Sequence, residues 1–231
     1  MKKFILVSPK NRSAYNFRGD LIKEIQKKGY DVVVTGPNKE GLDRIEALGA
    51  KFIEVPVNKN GVNPFADIAY CLKLKKIMKA EKAEAILGYT IKPVIYGSIA
   101  AWLAGVKNRT AMVTGAGYLF ASKSLKARII RSISFVLYKL GLGAARKVIF
   151  QNIDDLNEFV EHGLVRKDKC HVVNGSGVNM TKFTPAEYPQ TPTFFFLGRL
   201  VYAKGGMDFV KAAKMVKEKY PNSRFMILGK I

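Results

Sequence analysis

Cysteine and histidine are scarce in this sequence, and their scarcity excludes two kinds of site. The 231 residues include 2 Cys and 2 His. Cys71 and Cys170 lack the spacing of a zinc motif and are too few for a disulfide framework. His162 and His171 do not make a histidine-rich metal site. We therefore expect no metal centre, and the cysteine content fits a reducing compartment.

Long apolar runs are also missing. The run Phe4–Val7 ends at Ser8, whereas a signal peptide needs roughly 7–15 apolar residues. No segment reaches the roughly 20 apolar residues of a membrane-spanning helix. The composition is still 48% apolar, which is enough to bury a sizeable core. The sequence therefore predicts a folded protein that is soluble or bound to a membrane surface.

Acidic residues are few. Lys and Arg number 39 against 18 Asp and Glu, and no acidic residue lies between Glu84 and Asp154. Such a field attracts nucleic acid, anionic lipid or a phosphorylated substrate, or it is simply a solvated basic surface. A nucleic-acid binder would explain the net charge of +21. Because the aromatic and basic runs of RNA-binding domains are absent, we predict no nucleic-acid partner.

What the sequence does contain is a regular alternation of short apolar strands and longer helices. This alternation is typical of an α/β fold, a parallel sheet with helices on both faces and ligands at the carboxyl ends of its strands. Strands are predicted at residues 4–8, 31–35, 51–55, 85–87, 109–113, 147–151 and 169–173. Helices are predicted at residues 16–28, 39–48, 64–81, 93–104, 124–142 and 154–162.

The proline-rich segment Thr184–Thr193 predicts a linker between two domains. Another strand, helix and strand follow it, at residues 194–197, 206–219 and 224–228. A unit of about 40 residues is too small to hold its own core. We therefore expect a first domain over residues 1–185 and the opening of a truncated second α/β domain over residues 186–231.

Three segments of the first domain could bind a ligand or a membrane. Ser8–Gly19 lacks Gly-x-Gly-x-x-Gly, yet its donors at a helix start suit an anion or a sugar, or else form a solvated loop. Thr114–Phe120 has paired glycines, which permit close approach of a ligand or an ordinary tight turn. Ser124–Leu142 is a basic amphipathic helix that could lie on a membrane or pack on the core.

The segment Phe196–Gly205 carries the sharpest local signal. Gly198 permits a turn at the end of a strand, and Arg199 and Lys204 flank a loop that opens a helix. Two cations beside a helix N-terminus form a favourable diphosphate site.

Several motifs together resemble the family 4 retaining glycosyltransferases of the GT-B fold, built from two Rossmann-like domains. The donor-phosphate motif of that family is similar to Phe195-Phe-Leu-Gly-Arg-Leu-x-x-x-Lys-Gly205, and its hinge signature to His171-Val-Val-Asn-Gly-Ser-Gly-Val-Asn179 with Phe183-Thr-Pro185. Further likeness lies in Val148-Ile-Phe-Gln-Asn152, Tyr89-Thr-Ile-Lys-Pro93, Ile95-Tyr-Gly97 and Thr114-Gly-Ala-Gly-Tyr118. The last three resemble the bacterial subgroup that builds capsule, O-antigen or glycoprotein glycans on polyprenyl diphosphate.

The resemblance implies a role for particular residues. Arg199 and Lys204 would neutralise the donor diphosphate in catalysis, so that no divalent metal or other cofactor is needed. By the resemblance, the donor would be bound by Gly198, Arg199, Lys204 and Gly205. The acceptor would be bound by Asn16, Arg18, Lys92, Gly117 and Tyr118. The membrane would be contacted by Lys126, Arg128 and Arg131.

The implied function is transfer of a sugar, with an N-acetylhexosamine expected, from a UDP-sugar to a polyprenyl-diphosphate-linked glycan. The enzyme would be cytoplasmic and peripheral on the inner face of the cell membrane. The Glu-x7-Glu motif of the family's second domain would fall beyond Ile231, so we expect this chain to be inactive alone. The alternative is a non-catalytic fragment that binds lipid-linked glycan or anionic membrane.

Overall fold

A computed structural model describes residues 2–58, 63–115 and 125–229, without the side chains of residues 125–130. The chain divides into two compact units, Met1–Val178 and Asn179–Ile231. The first unit alternates strands with helices as expected. Its strands are β1 (Lys2–Val7), β2 (Tyr30–Gly36), β3 (Lys51–Glu54), β4 (Ala83–Tyr89), β5 (Asn108–Val113), β6 (Lys147–Phe150) and β7 (Cys170–Val172). Its helices are α1 (Asn11–Lys27), α2 (Leu42–Glu46), α3 (Pro64–Ala80), α4 (Ser98–Leu103), α5 (Leu125–Ala144) and α6 (Ile153–Glu161), with a π-helical turn at Pro93–Gly97 and a 3₁₀ turn at Lys167–Lys169.

The seven strands form one parallel sheet in the order β3-β2-β1-β4-β5-β6-β7. The predicted α/β fold class is therefore confirmed. The chain moves outward in one direction from β1 to β3 and in the other direction from β4 to β7. The order reverses between β1 and β4, and in open sheets of this kind ligands bind at such a reversal.

Side-chain alternation along β1 explains why both faces of the sheet are covered. Leu6 packs with Ala14 and Ile22 of α1 on one face. Ile5 and Val7 pack with residues of α3 on the other face. Since both faces are buried, the central strands are continuous apolar runs rather than alternating ones.

The start of α1 differs from the prediction. The helix begins at Asn11, not at residue 16, and so absorbs most of the expected loop. The Asn11 side chain is buried, and its amide nitrogen donates to the backbone oxygens of Asn38 at 2.7 Å and Glu40 at 2.8 Å. These contacts between distant segments fix the first turn, and no local sequence signal reports them.

The second unit is a strand, a helix and a strand, as predicted. β8 (Thr193–Leu197) and β9 (Arg224–Leu228) pair in parallel, and a 3₁₀ turn (Tyr202–Lys204) and α7 (Gly206–Lys219) lie between them in sequence. Phe209 of α7 packs on rings from both strands. Most apolar residues of both strands remain exposed: Phe194, Phe195, Leu197, Met226, Ile227 and Leu228.

Candidate functional site

A cluster of hydroxyl groups lies where the strand order reverses. Tyr89 ends β4 and is 2% exposed, and its hydroxyl contacts the hydroxyls of Ser8, just after β1, and of Ser13 in α1. Both serines also donate to the carbonyl oxygen of Lys10, each at 2.8 Å. Burial raises the pKa of Tyr89, so its phenol stays protonated at neutral pH. The cluster fixes the β1–α1 turn against the end of β4.

Arg18 lies beside this cluster and is 5% exposed. Its Nη1 donates to the Ser176 hydroxyl at 2.9 Å and to the Phe17 carbonyl oxygen at 3.1 Å. Its Nη2 contacts the Met112 sulfur at 3.3 Å, and its Cζ lies 5.1 Å from the centre of the Tyr89 ring. Nε is buried and has no hydrogen-bond partner among the described residues. The guanidinium therefore retains unused donors.

The charge of Arg18 has no matching carboxylate. None of the ion pairs of the described residues includes Arg18. The residues outside the described ranges include no Asp or Glu. Burial lowers the pKa of Arg18, yet a guanidinium remains charged in proteins. A buried cation without a counter-ion is costly, and an anion bound beside Arg18 would lower that cost.

Lys92 occupies a different setting at the same end of β4. Its ammonium pairs with the carboxylate of Asp67 in α3, and both side chains are buried. The Tyr96 hydroxyl donates to the other Asp67 oxygen at 3.2 Å. Burial, with the Asp67 charge, raises the pKa of Tyr96 to about 12. Unlike Arg18, Lys92 already has its counter-ion.

The end of β4 and the residue after it combine close packing with an unfavourable backbone conformation. A Cβ on Gly88 would lie 2.6 Å from the carbonyl oxygen of Pro93, so only glycine fits there. Thr90 has a φ of 67°, in the left-handed region that β-branched residues rarely adopt. Such conformations occur often at functional sites.

An open cleft of about 450 Å³ adjoins the start of α1. The loops after β1, β2 and β3 form it. Its cationic residues are Lys10 and Arg12, and Asn38, Glu40 and Asn58 add polar groups. A cleft of this size and polarity can hold a sugar unit. The lining residues are Pro9, Lys10, Asn11, Arg12, Pro37, Asn38, Glu40, Val57 and Asn58.

The predicted acceptor residues do not share one environment. Asn16 is exposed on α1, Arg18 is buried beside Tyr89, and Lys92 is paired with Asp67. Gly117 and Tyr118 lie outside the described residues. No sequence motif predicts the cluster of Ser8, Ser13 and Tyr89. The only sign of this cluster in the sequence is a hydroxyl-bearing residue at the end of each of two strands, and these strands are not consecutive in the chain.

The predicted donor residues surround the start of α7 in the second unit. Gly198 donates its N–H to the Leu228 carbonyl oxygen at 3.1 Å, which fastens the end of β8 to β9. Gly205 caps α7 with a φ of 77°, a conformation that suits glycine. Arg199 and Lys204 are exposed on the loop between. Two exposed cations thus precede a helix N-terminus, and their role at a diphosphate stays a prediction.

The predicted membrane residues belong to α5. Lys126 and Arg128 lie in its first turns, where the side chains are outside the described part, and Arg131 is half-buried. Within the described ranges, no helix is long and apolar enough to cross a bilayer. Nor do the described His, Cys, Asp and Glu side chains group into a set of metal ligands.

Comparison with known proteins gives a family match and similar relatives. The sequence model of the family described as "Glycosyl transferase 4-like" matches residues 5–152. A Campylobacter jejuni protein, N,N'-diacetylbacillosaminyl-diphospho-undecaprenol alpha-1,3-N-acetylgalactosaminyltransferase, is 27% identical over 231 residues, or 94% of this chain and 60% of that protein. An Escherichia coli protein, UDP-Gal:alpha-D-GlcNAc-diphosphoundecaprenol alpha-1,3-galactosyltransferase, is 27% identical over 209 residues, or 84% of this chain and 52% of that protein.

A solved structure shows the same fold. The crystal structure of a glycosyltransferase from Rickettsia africae matches 99% of this chain and 60% of its own length, with a TM-score of 0.68 and 17% identity. The likeness confirms the expected GT-B-type, Rossmann-like architecture. This chain spans between half and two thirds of the length of the two curated relatives.

Proposed function

Because the chain belongs to the glycosyl transferase 4-like family, we propose that its protein transfers a sugar from a UDP-sugar to a polyprenyl-diphosphate-linked glycan. Both curated relatives are named for acceptors on diphospho-undecaprenol, and this supports the acceptor class. An N-acetylhexosamine is the proposed donor sugar, in line with the N-acetylgalactosaminyltransferase. Retention of configuration at the transferred carbon is proposed from the motif resemblance.

The observation that carries the acceptor assignment is the unpaired Arg18. A polyprenyl-diphosphate sugar is an anion joined to a sugar. Arg18 offers an unmatched buried charge at the reversal between β1 and β4. The cleft at the start of α1 offers polar space for a sugar. Asn16, Gly117 and Tyr118 would complete the acceptor side, whereas Lys92 would act through its pair with Asp67.

The donor side is proposed for the second unit. Arg199 and Lys204 would bind the diphosphate of the UDP-sugar and stabilise the departing UDP, with the α7 N-terminus adding its dipole. Gly198 and Gly205 would let the backbone approach the phosphates. Because side-chain cations neutralise the charge in this scheme, we propose that transfer needs no divalent metal.

A membrane surface is the proposed location of the acceptor encounter. Helix α3 packs beside α4, and α4 beside α5. Their outer faces expose Phe65, at 85%, together with Ile68, Trp102 and Val136. Their one acidic residue, Asp67, is buried, and Lys73, Lys76 and Lys139 are exposed. Apolar side chains among cations suit an anionic leaflet, and we place the protein on the cytoplasmic face.

Flotation with anionic vesicles tests the membrane proposal. Phe65→Ser should lower the bound fraction, because it removes the most exposed apolar group of this face. Phe195→Ser is the matched control, since Phe195 is an exposed phenylalanine of the second unit. Equal loss of binding in both variants would contradict a surface built by α3, α4 and α5.

The transfer assay tests the reaction. UDP-N-acetylhexosamine and a short-chain polyprenyl-diphosphate sugar are incubated with the full-length enzyme, and product is measured by mass. Arg199→Ala and Lys204→Ala should each lower kcat about tenfold to a hundredfold, since each removes charge stabilisation of the leaving group. EDTA should have no effect. Binding of the lipid-linked sugar without any transfer would favour the alternative, a non-catalytic glycan-binding protein.

A further inference from the structure

A serine hydroxyl of the loop after β7 contacts the proposed acceptor side of the first unit. Ser176 receives a hydrogen bond from Arg18 Nη1 at 2.9 Å and another from Gln151 Nε2 at 3.2 Å. Gln151 follows β6 directly, so donors from two distant elements meet on one oxygen. Gly175 and Gly177 flank the serine with φ values of 71° and 72°. These left-handed positions suit glycine and set the serine between them.

The contacts of Arg18 divide its guanidinium into a used and an unused side. Nη1 is engaged by Ser176 and by the Phe17 carbonyl oxygen. Nη2 has a sulfur, a weak acceptor, as its described partner, and Nε has none. Nε and Nη2 form one edge of the planar fork, the edge that pairs bidentately with phosphate oxygens. Ser176 therefore engages the nitrogen that this edge does not need.

We propose that Ser176, supported by Gln151, is a positioning residue that holds the Arg18 guanidinium in the orientation from which it attracts the acceptor diphosphate. The inference rests on the proposed acceptor site and deepens it. An arginine side chain has several rotatable bonds, and two fixed hydrogen bonds at Nη1 remove much of that freedom before the ligand arrives. Orientation in advance lowers the entropic cost of binding.

Titration calorimetry with inorganic pyrophosphate is the direct test. Ser176→Ala should weaken binding about tenfold, because one hydrogen bond to a charged group is lost. Ser176→Thr retains the hydroxyl and should bind within about twofold of the unsubstituted chain. Asn174→Ala is the matched control, since Asn174 lies in the same loop and is not a described partner of Arg18.

A spectroscopic measurement separates positioning from a general structural role. The Nε–H proton of Arg18 should give a slowly exchanging NMR signal, assigned by its loss in Arg18→Lys. We expect this signal to persist in Ser176→Thr and to broaden in Ser176→Ala while the backbone spectrum stays native. Unchanged pyrophosphate affinity and an unchanged signal in Ser176→Ala would overturn the positioning role alone. Failure of the unsubstituted chain to bind pyrophosphate would overturn the acceptor site as well.

Discussion

The ion pair between Lys92 and Asp67 permits a stability prediction with a definite magnitude. The two side chains are 10% and 9% exposed, and they join the segment after β4 to α3. Removing one member of a buried pair leaves the other charge unmatched and costs about 3–5 kcal/mol. Asp67→Asn keeps the size of the side chain and its contact with Tyr96, so the change isolates the charge. We expect the free energy of unfolding to fall by about 3 kcal/mol or more.

Urea denaturation followed by circular dichroism measures this loss, with equal m-values confirming a comparable transition. The double variant Asp67→Leu with Lys92→Met is the control, because an apolar pair of similar volume should recover most of the stability. Glu24, in an exposed pair with Lys27, gives a second comparison: Glu24→Gln should cost under about 1 kcal/mol. A loss below about 1 kcal/mol in Asp67→Asn would refute the pairing and would return Lys92 to the acceptor site as a free cation.

Two further predictions concern pH and backbone strain. Hydrogen bonds from Lys3 and Lys51 hold the pKa of Glu81 below its usual value of 4.5. Glu81 therefore stabilises the fold above pH 4.5, and this contribution is lost as the pH falls through the lowered pKa. The difference in urea midpoint between the unsubstituted chain and Glu81→Gln should accordingly be present at pH 7 and shrink in acid; a difference independent of pH would contradict it. Thr90→Gly removes a β-branched residue from a φ of 67° and should raise the melting temperature. An unchanged or lower melting temperature would show that the Thr90 side chain compensates its strain.

Much of the first unit could be predicted because local patterns decide its elements. The strand Asp31–Thr35 and the helix Pro64–Glu81 were expected within a few residues of their observed bounds. Continuous apolar runs indicate strands that are buried on both faces of a sheet. A Pro at the first helical position indicates where a helix begins. The expectation of α1 at residue 16 was wrong, because Asn11 is fixed by partners almost thirty residues away.

The candidate site was harder to predict, because its residues meet only through the strand order. The resemblance predicts Arg18 at the acceptor site. That Arg18 is buried without a counter-ion depends on the packing of the folded chain and cannot be predicted from the sequence. Tyr89 and Ser8 are neighbours because β4 pairs with β1. The order of the strands in the sequence does not predict that pairing. In the sequence, Lys92 is a lone cation like Arg18. In the structure, however, Lys92 forms an ion pair with Asp67 of α3. The domain boundary and the donor residues stay predictions.

Equilibrium binding of a polyprenyl-diphosphate sugar to this chain tests whether Arg18 forms an acceptor site. The comparison ligand is the same sugar joined to the same lipid without phosphate, and Arg18→Lys, which keeps the charge but not the fork, is the comparison variant. We expect that the diphosphate ligand binds, that the neutral lipid binds at least about tenfold more weakly, and that Arg18→Lys removes most of the difference. Equal affinity for both lipids, or full discrimination in folded Arg18→Lys, would contradict an acceptor site built on Arg18.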